Sequence, residues 1–317
     1  MVALEDKELR IYQLFTFLCK CAIILKQKKR RVNMLEIIEE TIIDSVKLLP
    51  FLFITYLIME YIEHKTSPKA KETIKKSGRL GPAIGSLLGI FPQCGFSVSA
   101  TNLYAGRVIT LGTLIAVYLS TSDEMLPIFI SEAVPLITIL KILGIKLLIG
   151  MIVGFAIDFV LRMKNKDKQE EEKIIDLCEK EHCHCEHGIM KSALVHTLHI
   201  FIFIIIITLI VNITIHFIGE GTIAGFLQYN PILGPVIAGL IGLIPNCAAS
   251  VILTQLYLEN VITVATMISG LLVGAGVGLA VLFRANKGIK ENLKIVGLLY
   301  LIGVISGVIL QIIGITF

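Results

Sequence analysis

The chain has 317 residues, 55% of them apolar, a mean hydropathy of +0.82 and a formal net charge of +4. Its apolar residues fall in long runs such as Leu48–Met59, Ile200–Ile215 and Ile295–Ile315, and too few polar residues remain to coat a soluble fold of this size. The basic residues are scattered over connecting segments, which excludes a single nucleic-acid-binding face, and no Gly-rich loop ending in Lys-Ser/Thr marks an ATP site.

Residues 1–33 hold a short apolar run, Ile11–Leu25, interrupted by Lys20 and followed by Lys26-Gln-Lys-Lys-Arg-Arg31. The basic cluster follows the apolar run, which suits a signal sequence poorly. The segment reads as an interfacial helix or an extension outside the core fold.

A first membrane repeat is expected over residues 34–162. It opens with a membrane helix at Thr41–Tyr61, followed by a basic amphipathic connection at Lys65–Arg79. Leu80–Phe91 and the arm that ends at Tyr104 flank Pro92-Gln93-Cys94-Gly95, and neither arm reaches the roughly 20 residues a full crossing needs. Val108–Leu119 is again short and runs into Ser120-Thr-Ser-Asp-Glu124. Met125–Leu136 and Leu140–Leu161 complete the half.

Residues 163–190 are the only long polar stretch. They carry Cys178, His182, Cys183, His184, Cys185 and His187 within ten residues. Thiolates and imidazoles so dense favour soft or borderline metals such as Zn²⁺ or Cu⁺, although the spacing of a structural zinc fold is missing. The tract reads as a linker that is either an accessory metal collector or a variable connection with incidental affinity.

The second membrane repeat covers residues 191–317. Leu80–Thr113 recurs as Leu233–Thr266, 153 residues later and without a gap, with 17 identities in 34 positions. The opening helices align loosely at an offset of 152, which pairs Asp44 with His196, Lys47 with His199 and Glu60 with Asn212. A duplicated, Gly/Pro-interrupted apolar segment in matching positions of two halves is the sequence mark of a transporter binding site. Five crossings per half would place the halves in opposite orientations. The basic connections after residues 62, 161 and 283 would then share the cytoplasmic side, whereas the cluster at 26–31 disagrees.

Three groups of residues could carry chemistry. Phe91-Pro92-Gln93-Cys94 and Ile244-Pro245-Asn246-Cys247 break their helices, because proline lacks a donor and pushes the preceding residue out of helical geometry. Broken backbone in a bilayer must be buried in protein or line a wet cavity, so Gln93, Cys94, Ser97, Asn246, Cys247 and Ser250 are expected along a transport pathway. The plainer reading is helix packing, with Cys as a small hydrophobe.

Ser120, Ser122, Asp123 and Glu124 offer hard oxygen donors for a divalent cation such as Mn²⁺ or Mg²⁺, or form a capped exterior loop. Their counterpart, Val273-Gly-Ala-Gly-Val277, has no acids, so a metal site here would be asymmetric. Glu60, and His196 with His199 one turn apart, are candidates for a proton or metal relay, or are interfacial polar residues.

Pro92-Gln-Cys-Gly-Phe-Ser97, the stretch Leu103–Ala116 and Leu119-Ser-Thr-Ser-Asp-Glu-Met-Leu-Pro127 resemble a ten-helix family of heavy-metal exporters, whose members are labelled arsenic efflux proteins or manganese transporters. Pro245-Asn-Cys247 fits the same pattern, and the resemblance covers about residues 34–317. It implies ten membrane helices and export of a metal or metalloid ion. A more distant similarity links the chain to arsenical permeases with membrane cysteines.

The sequence thus reads as an all-α polytopic membrane protein of about ten transmembrane helices, in two inverted repeats with Pro-broken helices. It is expected in the cytoplasmic membrane of a prokaryote as a secondary exporter without ATP, nucleic acid or a permanently bound cofactor. The metal ion is cargo, Asp123 and Glu124 bind it or exchange protons for it, and a homodimer is left open. Acids and hydroxyls favour Mn²⁺; Cys94 and Cys247 favour arsenite. A membrane enzyme lacks the expected His-Glu-x-x-His constellation, and a metal sensor without transport is the third class weighed.

Overall fold

The computed structural model describes residues 34–65, 80–91, 94–122, 124–164, 189–218, 233–286 and 288–315. Residues 1–39 and 40–317 fall into two units, and of the first only the opening turns of α1 are described. The described residues form twelve α-helices and no strand. They are α1 (Met34–Lys65), α2 (Gly81–Gly89), α3 (Cys94–Ala105), α4 (Leu111–Ser120), α5 (Met125–Ser131), α6 (Leu136–Lys164), α7 (Ile189–Ile218), α8 (Gly234–Gly242), α9 (Ala248–Leu258), α10 (Val264–Val273), α11 (Val277–Ala285) and α12 (Ile289–Ile313).

The duplication reaches the helices. α2 and α8, α4 and α10, and α6 and α12 each begin 153 residues apart. Thr110 and Thr263 are matching N-caps in extended backbone, and their hydroxyls accept from the amides of Thr113 and Thr266. Arg107 and Asn260 occupy the same turn with φ near 58°, a left-handed conformation rare for residues with a side chain.

Six stretches are long and apolar enough to cross a bilayer: Thr41–Ile58, Leu111–Ser131, Leu136–Met163, Ala193–Thr214, Val264–Ala285 and Ile289–Ile313. Two of them contain a break, between α4 and α5 and between α10 and α11. The broken spans are 71% and 83% buried, against 28% for each of the unbroken spans in α6, α7 and α12. The interrupted helices therefore form the centre, and the continuous ones face lipid with residues such as Ile152, Phe159, Ile202 and Ile305. This order follows from the bilayer, where broken backbone must be satisfied by protein.

α5 stops at Ser131, short of the Leu136 expected from the apolar run. Ala133 takes φ 51°, and Pro135 lacks an N–H with which to continue the helix. In the second half, Gly276 at φ 54° and ψ −140° ends the break before α11, a conformation open to glycine alone.

Within the first half, α2 and α4 run side by side in the same direction: Gly81 faces Thr113, Gly85 faces Val117 and Gly89 faces Ser120. α6 returns antiparallel, with Gly154 against Gly112 and Gly150 against Ala116. The second half repeats the pattern with Gly234 on Thr266 and Gly303 on Val273. Between the halves the packing is reciprocal. α3 lies on α11 and α9 lies on α5, while α4 meets α10.

Candidate functional site

The breaks lie next to one another. α2 and α4 are parallel and of similar length, so their ends coincide, and the Ser122 hydroxyl donates to the carbonyl of Ile90 across the two breaks at 2.5 Å. Ser120 is fully buried and bonds the carbonyls of Ala116 and Val117 in its own helix. Ser122 is buried too, and Glu124 is half-buried at the N-cap of α5. Asp123, Pro92 and Gln93 lie outside the described residues, and the Cys94 side chain is likewise not described.

The second half supplies the facing wall. Gly278, the second residue of α11, presses on Ser97, and its carbonyl accepts from Thr101 and from Tyr118, both at 3.2 Å. Thr101 and Tyr118 are themselves 2.5 Å apart, and all three side chains of the Ser97–Thr101–Tyr118 group are fully buried. The ladder Thr101 to Ser97 carbonyl recurs as Thr254 to Ser250 carbonyl, each at 2.7 Å.

Asn246 organises the other Pro-Cys break. Its Oδ1 accepts from the Cys247 amide at 2.7 Å, its Nδ2 donates to Asn212, and Asn212 Nδ2 donates to Thr41 at 3.0 Å. The break is thereby tied to α7 and α1. Ser250 donates to the Cys247 carbonyl at 2.7 Å, and Pro245 is partly buried. The Cys247 thiol packs in an apolar cluster with Leu52 and Tyr56 of α1, Val98 of α3, Ile200 of α7 and Val277 of α11. Cys247 and Val98 of α3 thus share one environment.

His196 and His199 lie one turn apart on α7 and differ in burial. His196 is buried and stacked on Tyr56 at 5.6 Å between ring centroids, whereas His199 is exposed. The Glu60 side chain and the linker cluster Cys178, His182, Cys183, His184, Cys185 and His187 lie outside the described residues. Among the described residues no three His, Cys, Asp or Glu side chains gather as a metal site.

One central residue escaped sequence reasoning. Lys146, on α6, is fully buried. Its ammonium donates to the carbonyl of Thr121, the C-cap of α4, and at 3.1 Å to the carbonyl of Leu271 near the end of α10. It stands ten residues into α6, about 15 Å along a helix rising 1.5 Å per residue, within the apolar span Leu136–Met163. The available signal was Lys146 within the run Leu140–Leu161, which also carries Lys141 and Asp158, since an intramembrane charge is costly and functional by default.

At one end of the bundle Arg107 forms a bidentate pair with Glu291 of α12, at 3.0 and 3.2 Å, and the Tyr104 hydroxyl joins the same carboxylate. The repeat places Asn260 and Thr138 at the matching positions, so this tie between halves occurs once. Arg107→Ala is expected to cost about 1 kcal/mol, the scale of a part-exposed bidentate pair. A thermal melt of purified protein in detergent measures it.

A family profile described as "Putative, 10TM heavy-metal exporter" matches residues 33–219 and 160–279. Among curated proteins and among solved structures no match was found. With most of the chain matched, and with its helices long, apolar and turned outward to lipid, the protein is a multi-pass membrane protein that belongs to the family described as "Putative, 10TM heavy-metal exporter".

Proposed function

We propose that the protein is a secondary transporter that exports a hard divalent cation, Mn²⁺ foremost, across the cytoplasmic membrane of a prokaryote. The observation that carries this reading is the seat of the Lys146 ammonium. Carbonyl oxygens from the C-terminal ends of α4 and α10, one in each half, hold a positive charge at the centre of the bundle. Half-helix C-termini carry partial negative charge, and in broken-helix transporters such ends coordinate cations.

Asp123, Glu124, Ser120 and Ser122 belong to the break beside this seat and would supply the hard oxygen donors of the cargo site. Pro92, Gln93, Cys94, Ser97, Pro245, Asn246, Cys247 and Ser250 would line the path to it. The reciprocal packing of α3 on α11 and α9 on α5 suits two halves related by a two-fold axis, and we take them as inverted, so that rocking alternately opens the two sides. Protons taken up by the vacated carboxylates would couple the cycle. Glu60 and His196 would serve as a relay, and the linker's Cys and His residues as an accessory collector. An arsenite route would rest on sulfur, and the apolar packing of Cys247 supports it less than the carbonyl seat supports a cation.

The test is flux into proteoliposomes. Asp123→Asn is expected to lower Mn²⁺ flux at least about tenfold, the scale of one charged ligand, while Cys94→Ser leaves it within about threefold. Arsenite movement abolished by Cys94→Ser and indifferent to Asp123→Asn would replace manganese with arsenic.

A further inference from the structure

We infer that Lys146 is a tethered counter-cation: its ammonium fills the carbonyl seat between the halves when no cargo is present, and cargo loads by displacing it. The inference rests on the reading of the cargo as a cation.

Three observations meet at this residue. First, the ammonium is held by main-chain oxygens of both halves, Thr121 from α4 and Leu271 from α10. A neutral residue at 146 would leave these oxygens at helix ends without their cationic partner. Second, Thr121 precedes Ser122, whose hydroxyl already binds the neighbouring break through Ile90, so the seat adjoins the polar turn of the first half. Third, the seat is asymmetric. The repeat places Leu299 where Lys146 would recur, and Leu299 is fully buried. One lysine, on one helix, thus bridges two central helices that otherwise obey the duplication.

Two positive charges cannot share an oxygen cage inside a bilayer at modest cost, because their repulsion is barely screened there. The ammonium and a divalent cargo are therefore competitors. With the ammonium seated, α4 and α10 are clamped together through one side chain. With cargo present, the flexible four-carbon stem lets the ammonium withdraw, and the clamp opens. Lys146 acts here as a positioning and specificity residue. It excludes weakly bound monovalent ions, which cannot offset the loss of the clamp, and admits a cation of higher charge.

The test is Mn²⁺ binding to full-length protein in detergent by calorimetry, beside Mn²⁺ flux of the unaltered protein in liposomes. Lys146→Gln keeps hydrogen-bond donors near the carbonyls and removes the charge. It is expected to bind Mn²⁺ at least about fivefold more tightly, the lower end of site–site coupling, and to transport more slowly. Lys146→Arg keeps the charge and is expected to stay within about threefold of the unaltered affinity.

A folded Lys146→Gln with unchanged or weaker binding would overturn the inference. Should that variant fail to fold, a cargo-bound structure of the unaltered protein decides. An ammonium withdrawn from the Thr121 and Leu271 carbonyls supports displacement, and one still seated there overturns it. If the unaltered protein neither binds nor moves Mn²⁺, the cation reading itself has failed, which is a separate result.

Discussion

Asp158→Ala is expected to remove about 2–6 kcal/mol of unfolding free energy, because two buried donors each lose their acceptor at about 1–3 kcal/mol. Asp158 sits on α6, 5% exposed, and reaches the start of α4. One carboxylate oxygen accepts from the Gly112 amide at 2.9 Å and the other from the Thr110 hydroxyl at 2.7 Å. Thr110 is the N-cap of α4, and its oxygen also accepts from the Thr113 amide. Alanine would strand a main-chain donor and a hydroxyl where water is scarce. Asparagine keeps one acceptor, so Asp158→Asn is expected to lose about half as much. Denaturant titration in micelles measures both. A loss under about 1 kcal/mol for alanine would mean that this end of α4 is wet or held by other groups.

Gly242→Ala is expected to cost about 3 kcal/mol, the upper range for overpacking. A β-carbon at 242 would lie 2.2 Å from the carbonyl oxygen of Gly270 and 3.2 Å from the amide nitrogen of Gly274. Both neighbours are main chain, so no side chain can swing aside, and α8 must move off α10. Gly144→Ala and Gly297→Ala meet nothing within 4 Å. They are expected to be neutral or to stabilise by up to about 1 kcal/mol through helix propensity. Thermal melts of the three variants side by side separate close approach from glycine content. Equal melts would refute the parallel contact of α8 with α10.

Much of this architecture was legible in the order of residues. The doubled Leu80–Thr113 segment foretold matching short helices, and Pro92 and Pro245 foretold where they stop. The turn at Ser120–Glu124 was readable as an interruption because hydroxyls and acids follow an apolar run. What could not be read was which breaks touch. The parallel course of α2 and α4, and the seat of Gly278 on Ser97, depend on contacts between segments far apart in the chain. Helical spacing likewise put His196 and His199 one turn apart, but it could not show that His196 is buried against Tyr56 while His199 is exposed. Lys146 was hidden for a different reason. Lys141, Lys146 and Asp158 leave the mean hydropathy of this long apolar run high, so the helix is evident while the buried charges among them are averaged away.

The reciprocal packing of the halves has a bearing on ancestry. A lone ancestral half, pairing with a copy of itself, would have met every residue twice around the same axis. A lysine at 146 would then have had a twin at the place now held by Leu299, reaching by the same repeat for the carbonyls of Gly274 and Tyr118 on the same two central helices. Two ammonium groups so placed would repel each other in a medium that screens little. Joining two such copies into one polypeptide would free each side to mutate alone, so that a single charged residue could settle where a symmetric pair would be self-defeating.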